Sequence, residues 1–372
     1  MYLALRELRF AKTRYVMVVT IMLLVSFLVL FVTGLANGLA YANASSIKNM
    51  SASHFILEKD SDRRFGRSQL TETDLATARS VVGENKAVPL SIRMTTLTEK
   101  GLSLKSEVTM FAIDMTSWLA PKVVEGQNIT NNTQGQVLVD HKLQDGGIKI
   151  GSILVDQMTG MSWTVSGFVS NESYSHTPSV FMNEKDWQKL QGLTSVGIQD
   201  SSVKLYNAIA LKAKGSQVAQ LSSKLMDSEI ISKSSTVAAV PGYKEEQSSL
   251  LMMIAFLYVI SAMVLAVFFY VITIQKTSQF GILKAIGVRT GYLARNVVGQ
   301  VLLLTIGSLA ISLGLIRVVY AALPSSMPFQ LHPSTLMLSC SLFIVTAILG
   351  SLLSVVKVAR TDALDAIGRA TA

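Results

Sequence analysis

The sequence predicts an α-helical membrane protein: four transmembrane helices, with a large extracytoplasmic α+β domain inserted between the first and the second. Three observations predict it. Half of the 372 residues are hydrophobic and only 15% are charged, a balance unlike that of soluble chains. The stretches 15–47, 247–275, 296–316 and 318–356 carry no charge at all. Finally, the 21 Lys and Arg between Tyr41 and Gln247 are matched by 21 Asp and Glu, so the other 12 basic and three acidic residues supply the whole net charge of +9.

A spanning helix needs about 20 apolar residues. The first three charge-free stretches therefore hold one helix each. The fourth is broken at 323–333, LPSSMPFQLHP, by three prolines and the polar Ser325, Ser326, Gln330 and His332, residues that stop helices. One side of the break completes the third span and the other begins the fourth. Eleven of the 12 surplus basic residues flank spans, Arg317 being the exception. By the positive-inside rule both termini and the 276–295 segment face the cytoplasm of a cell-membrane protein, and 41–247 lies outside.

The order along the chain follows. Residues 1–14 read either as a cytoplasmic amphipathic helix, with Ala4, Leu5, Leu8 and Ala11 on one side and Arg6 and Arg9 opposite, or as a basic flank with no role of its own. The first span is 15–40. Ala42-Asn43-Ala44 imitates a signal-peptide cleavage site, but the apolar region far exceeds the usual length of about 7–15 residues, so the span reads as an uncleaved anchor. Gly34 and Gly38 form a GxxxG pair, fitting close helix approach or ordinary packing.

The domain at 41–247 shows strand patterns at 92–98, 108–113, 136–139, 147–155, 162–169, 179–182 and 203–211. Helices are expected at 71–82, at 183–190 behind the cap Asn183, and at 215–230. Cys340, the sole cysteine, lies in the fourth span, so the domain folds without disulfides. The second span is 248–275. Before it, Pro241 and Gly242 make a turn, and Glu245 and Glu246 then fall where negative charge suits the helix dipole. A polar segment at 276–295, the third span at 296–323, a short external loop at 324–333, the fourth span at 334–356 and a cytoplasmic tail at 357–372, capped at Thr361 or Asp362, complete the chain. The 276–295 segment reads either as a surface amphipathic helix with a face free for a partner, or as a loop that anchors two helices by charge.

Catalysis finds no support. The chain has no GxxxxGK[ST] loop, no CxxC or HExxH, and no GxSxG, the patterns that carry phosphates, zinc or a nucleophile. His54, His141, His176 and His332 are scattered, and basic residues follow the spans without aromatic interleaving, which argues against nucleic acid. A non-catalytic subunit without an intrinsic cofactor is expected; any energy must come from another chain.

KTSQFGILKAIG at 276–287, between two spans, together with this layout and an Ala-Leu-x-Ala pattern at 363–366, resembles the FtsX/MacB type of ABC transporter permease over essentially the whole chain. The resemblance implies two permeases paired with two ATPase subunits that bind the ATP, and a docking surface made by Phe280, Gly281, Leu283, Lys284, Ala285 and Gly287. Gln279 stands where the family often has Glu. Such a permease acts as a lever, and a ligand is moved only if the two states bind it differently.

The opening MYLALRELRFAKTR, PGYKEEQSSLLMM and FFYVITIQKTSQFGILKAIG are similar to the haem-exporting branch. That implies a haem site between paired first and second spans at the outer surface, with Tyr243 and Glu246 as oxygen ligands to ferric iron and Tyr174 as a further candidate. Phe27, Phe31 and Gly34 supply an apolar wall, and Gly34 and Gly38 leave room for the macrocycle. Read by residue alone, Tyr243 is an interfacial anchor, Glu246 a helix-end charge and Tyr174 a loop tyrosine. Two other readings stay open: a transmitter that activates an extracytoplasmic cell-wall hydrolase or lipoprotein without transport, and a macrolide or peptide exporter.

Overall fold

The computed structural model describes residues 12–101, 105–194, 204–324 and 327–360, with side chains for 15–101, 105–193, 204–324 and 327–352. The N-terminal surface helix expected at 1–14, and the tail helix with its cap at Thr361 or Asp362, fall largely outside these. In chain order the helices are α1 (Lys12–Asn49), α2 (Glu72–Val82), α3 (Lys142–Asp145), α4 (Glu184–Thr194), α5 (Gly215–Lys224), α6 (Lys233–Ala238), α7 (Tyr243–Gln275), α8 (Thr277–Ala285), α9 (Thr290–Ala322) and α10 (Pro333–Arg360). The chain forms two compact units, Met1–Gly38 with Ser248–Ala372, and Leu39–Gln247.

In the membrane unit, α1, α7, α9 and α10 are each long and apolar enough to cross a bilayer. Small polar residues seam α1 to α9: Ser26 and Ser312 hydroxyls lie 2.5 Å apart, Ser312 Oγ donates to the Leu23 carbonyl at 3.1 Å, and Ser308 Oγ reaches Val19 O at 3.4 Å. Such residues let helix backbones approach in lipid. Leu30, Leu265, Phe269, Val301 and Phe343 fill the centre. By contrast α7 leaves Leu251, Met252, Phe256, Ile260, Met263 and Val267 exposed, an apolar face for lipid or protein.

Several helices run beyond the spans read from the sequence, α9 among them, which begins at Thr290 instead of 296. Helix α1 runs on from 40 to Asn49 with a kink at Ala44 (φ −139°, ψ 24°), and α7 begins at Tyr243 instead of 248. Hydropathy could not show the extension of α1, because beyond Ala40 that helix is stabilised by the folded domain. Ala42, Asn43, Ala44, Ser45, Ser46 and Ile47 are all buried in it. Ser45 Oγ accepts from Ser173 N at 2.8 Å, and Ser46 and Ser179 hydroxyls meet at 2.8 Å.

The Leu39–Gln247 unit is α+β. Its strands are β1 (His54–Glu58), β2 (Leu70–Thr71), β3 (Ala87–Glu99), β4 (Lys105–Ile113), β5 (Val123–Gly126), β6 (Gln136–Asp140), β7 (Ile153–Asp156), β8 (Ser162–Val169), β9 (Ser173–Tyr174), β10 (Thr177–Asn183), β11 (Leu205–Tyr206), β12 (Ala208–Leu211) and β13 (Ser228–Ser232). The main sheet runs β13-β1-β12-β3-β4-β10-β6-β8-β5, with β7 joined to β3 and β8 and β9 to β10; β2 and β11 pair separately. It is mixed, since β4/β10 and β6/β8 are parallel. Parallel pairing sets Phe111 opposite Phe181, rings 5.4 Å apart.

Helix α2 starts as expected, with a reciprocal capping box between Thr71 and Asp74, and Asn183 Oδ1 caps α4 through Asp186 N at 2.8 Å. The helix expected at 215–230 ends at Lys224, and 228–232 is instead β13, paired with β1. The 147–155 pattern yields strand only from Ile153.

Candidate functional site

Helix α7 opens from a turn in which Gly242 takes φ +78°, a left-handed conformation that glycine adopts without steric cost. Tyr243 N then donates to Val240 O at 3.0 Å and Glu246 N to Gly242 O at 3.0 Å, so the Gly-Tyr-x-x-Glu motif sets Tyr243 and Glu246 one turn apart on one helix face. Glu246 Oε2 lies 2.8 Å from His176 Nε2 and accepts from Asn43 Nδ2 at 2.6 Å. Glu246 Oε1 and Asn43 Oδ1 are buried and have no hydrogen-bond partner among the described residues. Half-buried Tyr243 packs on the domain core and carries the Lys48 ammonium 4.9 Å from its ring centroid. That ammonium also lies 5.5 Å from the Tyr41 ring centroid and donates to Ala40 O at 2.9 Å.

A bend between β9 and β10 presents His176. Ser175 and His176 both have positive φ, 49° and 65°, and Ser175 N donates to Asn43 O at 2.7 Å. The extension of α1, the 170–176 loop and the first turn of α7 thus converge on one carboxylate. Chemically the cluster offers a phenol and a carboxylate as hard oxygen donors, an imidazole against the carboxylate, and an ammonium for anionic groups. Among the described residues no group of three or more His, Cys, Asp or Glu could hold a bare metal ion.

Sequence reading singled out Tyr243 and Glu246 but not His176, Asn43 or Lys48. His176 stands 70 residues and Asn43 203 residues from Glu246, so no local pattern could join them. The helix-end role read for Glu246 is incomplete: its side chain is an acceptor for two other segments. Tyr174 needs correcting as a ligand candidate. It is 5% exposed, stacked on Phe65 at 6.3 Å and edge-on to Phe111 at 6.0 Å, and burial raises its phenol well above the usual range. Tyr174 is core.

Gly34 and Gly38 also need correcting. The space expected for a macrocycle is filled by the 327–331 segment of the membrane unit: a Cβ on Gly34 would lie 2.4 Å from the Phe329 ring, and one on Gly38 2.2 Å from Pro328 O. Gln330 N donates to Gly34 O at 3.0 Å. Phe27 and Phe31 stack on each other at 5.6 Å, and Phe31 meets Phe329 at 5.7 Å.

The 276–295 segment does contain a helix, α8, but two of its expected docking residues point inward. Phe280 and Gly281 are buried, Phe280 against Leu293 and Val297. Leu283 and Lys284 are half-buried, Ala285 and Gly287 exposed, and the outward apolar positions are Ile282 (50% exposed) and Ile286 (72%).

Residues 251–363 match the model of the FtsX-like permease C-terminal domain. A Staphylococcus haemolyticus protein, provisionally named hemin transport system permease protein HrtB, is 30% identical over 368 residues, 99% of each chain. The chain belongs to the FtsX-like permeases. A Staphylococcus epidermidis protein of the same provisional name is 28% identical over 99% of each chain, and a Mycobacterium bovis uncharacterized ABC transporter permease is 23% identical over 98% of this chain and 97% of its own. The periplasmic region of MacB from Actinobacillus actinomycetemcomitans aligns with half of this chain and 91% of that one, at 11% identity and a TM-score of 0.36. As an FtsX-like permease, the chain is a membrane protein, with four apolar helices among the described residues and an α+β insert after the first of them, and the matched 251–363 region contains the whole of α8 and α9.

Proposed function

We propose that this FtsX-like permease is the membrane subunit of an ATP-driven efflux transporter whose cargo is haem, worked as a homodimer by two copies of a separate ATPase. Its termini and α8 face the cytoplasm, and the α+β unit faces outward. The observation that carries the reading is the Tyr243–Glu246 pair: a phenol and a carboxylate one turn apart at the head of a spanning helix. The provisional naming of full-length relatives as hemin transport permeases supports it. Tyr243 Oη and Glu246 are the proposed iron-binding oxygens, since hard anionic oxygens suit ferric iron and tyrosine is an axial haem ligand elsewhere. His176 and Asn43 hold the carboxylate in place; Lys48 supplies positive charge beside the phenol ring, where the acidic haem side chains need a counter-ion.

ATP binding closes the ATPase pair, α8 is displaced, and the spanning helices shift so that the outward site changes its affinity. Release follows only to the extent that the two states bind haem differently. Titrating the purified permease–ATPase complex with haemin tests the site. A Soret shift should saturate for the native protein, and Tyr243→Phe and Glu246→Gln should each weaken binding by about tenfold or more. A shift that both variants leave unchanged removes the ligand assignment.

A further inference from the structure

Lys276 joins α7 to α8 and is only 6% exposed. Its ammonium donates to Tyr15 Oη on α1 at 2.8 Å and to Gln300 Oε1 on α9 at 3.2 Å, while Gln300 Nε2 donates to Tyr15 Oη at 2.5 Å. The ammonium also lies 5.5 Å from the centroid of the Tyr15 ring. Among the described residues, three segments of the membrane unit therefore meet in one polar triangle.

Burying an ammonium in an apolar bundle is unfavourable even when it is well paired, and an uncharged side chain of similar size would pack there at less cost. Stability alone does not explain a lysine at this place. One turn further on, Phe280 packs on Leu293 and Val297, which share a face of α9 with Gln300. Among the described residues helix α8 is thus fastened in two ways: to α9 by apolar contact, and to α1 and α9 by charged hydrogen bonds.

The two fastenings respond differently to force. Apolar contact is non-directional and tolerates sliding. Charged hydrogen bonds are directional and weaken steeply when bent, so a displacement of Lys276 is passed on to Tyr15. A cavity of about 20 Å³ lined by Tyr15, Lys276, Phe280 and Gln300 adjoins the triangle, room for about one water molecule, so a small shift has space.

We propose that Lys276, acting through Tyr15 and Gln300, is the positioning residue that ties α8 to the first spanning helix, so that α1 and α8 move as one piece when the ATPase turns over. The inference rests on the chain working with an ATPase and is independent of its cargo.

Spin labels at Val16→Cys and Gln279→Cys, both exposed positions, in a Cys340→Ser background without the one native thiol, test it by pulsed dipolar spectroscopy of the permease–ATPase complex. In the otherwise native chain the inter-label distance should be narrowly distributed and the same in the nucleotide-free and vanadate-trapped states. Lys276→Met should widen the distribution by about twofold or shift it on trapping; Lys276→Arg, which keeps charge and donors, should restore it. Tyr15→Phe removes one oxygen only and should widen the distribution in the same way, which covers a failure of Lys276→Met to insert. A distance that changes on trapping in the native chain, or one that stays narrow in both Lys276→Met and Tyr15→Phe, overturns the proposal. Were the lysine merely structural, Lys276→Met would change the melting temperature and leave the distribution narrow. No haemin is added, so failure of the haem reading does not touch this result.

Discussion

Glu172 sits in the same 170–176 loop as His176, 8% exposed, and burial pushes its carboxyl up to about 8 against the pull of hydrogen bonds from Asn49 and Ser46. Neighbouring Asp140, fully buried, is raised for the same reason and adds to the rise. Because the folded value lies above the ordinary 4.5, Glu172 contributes stability that is fully present below pH 4.5 and is lost as pH climbs to about 8. Glu172→Gln should therefore flatten the fall in melting temperature between pH 4.5 and 8, leaving the variant roughly 1–3 kcal/mol more stable than the native chain near pH 8. Equal slopes for both proteins would show that Glu172 titrates normally. Residues of this kind mark the limit of sequence reading. Tyr243 and Glu246 were singled out through the resemblance that PGYKEEQSSLLMM carries; read by residue alone they gave only an interfacial anchor and a helix-end charge. His176 and Asn43 were not singled out, because their meeting with Glu246 depends on the sheet and on α1 extending past the membrane run. Tyr174 misled, since a tyrosine between serines gives no sign that its ring stacks on Phe65.

Helix α8 ends in a Schellman motif. Gly287 N donates to Lys284 O at 2.9 Å, Val288 N reaches back to Leu283 O at 3.0 Å, and Gly287 takes φ +90°, a turn that a β-branched residue resists. Gly287→Val should cost about 1–3 kcal/mol locally and lower ATPase co-purification without blocking insertion. Ile282→Asp and Ile286→Asp should weaken assembly at unchanged melting temperature, whereas Phe280→Ala should lower the melting temperature, because Phe280 belongs to the packing with Leu293 and Val297. If assembly survives both isoleucine changes, the docking face lies elsewhere. At the other glycine site, Gly38→Ala should push Pro328 away and speed hydrogen exchange of the Gln330 amide that holds the 327–331 segment to Gly34. The long helices were legible from charge-free runs, and α2 from its capping box. Strand β1, HFILE, was not: its three central residues are all buried, so it lacks the alternation that reveals a half-buried strand. Its partner β13 was absorbed into the periodic pattern of α5, since nothing nearby signals a pairing across the length of the domain.

For the molecule as a whole, the positive charge that flanks the spans fixes the expected orientation. In a Cys340→Ser background, an impermeant maleimide should label Met226→Cys, 79% exposed in the α+β unit, on intact cells, and Ile286→Cys only after permeabilisation. The reverse pattern would put α8 out of an ATPase's reach. In the proposed transporter the two tasks fall to different elements: α8, a capped helix with outward isoleucines, to meet the ATPase, and the head of α7, with its oxygen donors, to bind the cargo. If the proposal holds, haem bound beside Tyr243 changes ATP turnover by the partner ATPase. The most direct measurement is the ATP hydrolysis rate of the reconstituted permease–ATPase complex as haemin is added. A saturable rise of about threefold or more, lost in Tyr243→Phe and Glu246→Gln and in Gly287→Val, is predicted. A rate that haemin leaves flat while the complex remains assembled and ATP-competent would contradict a haem-driven transporter.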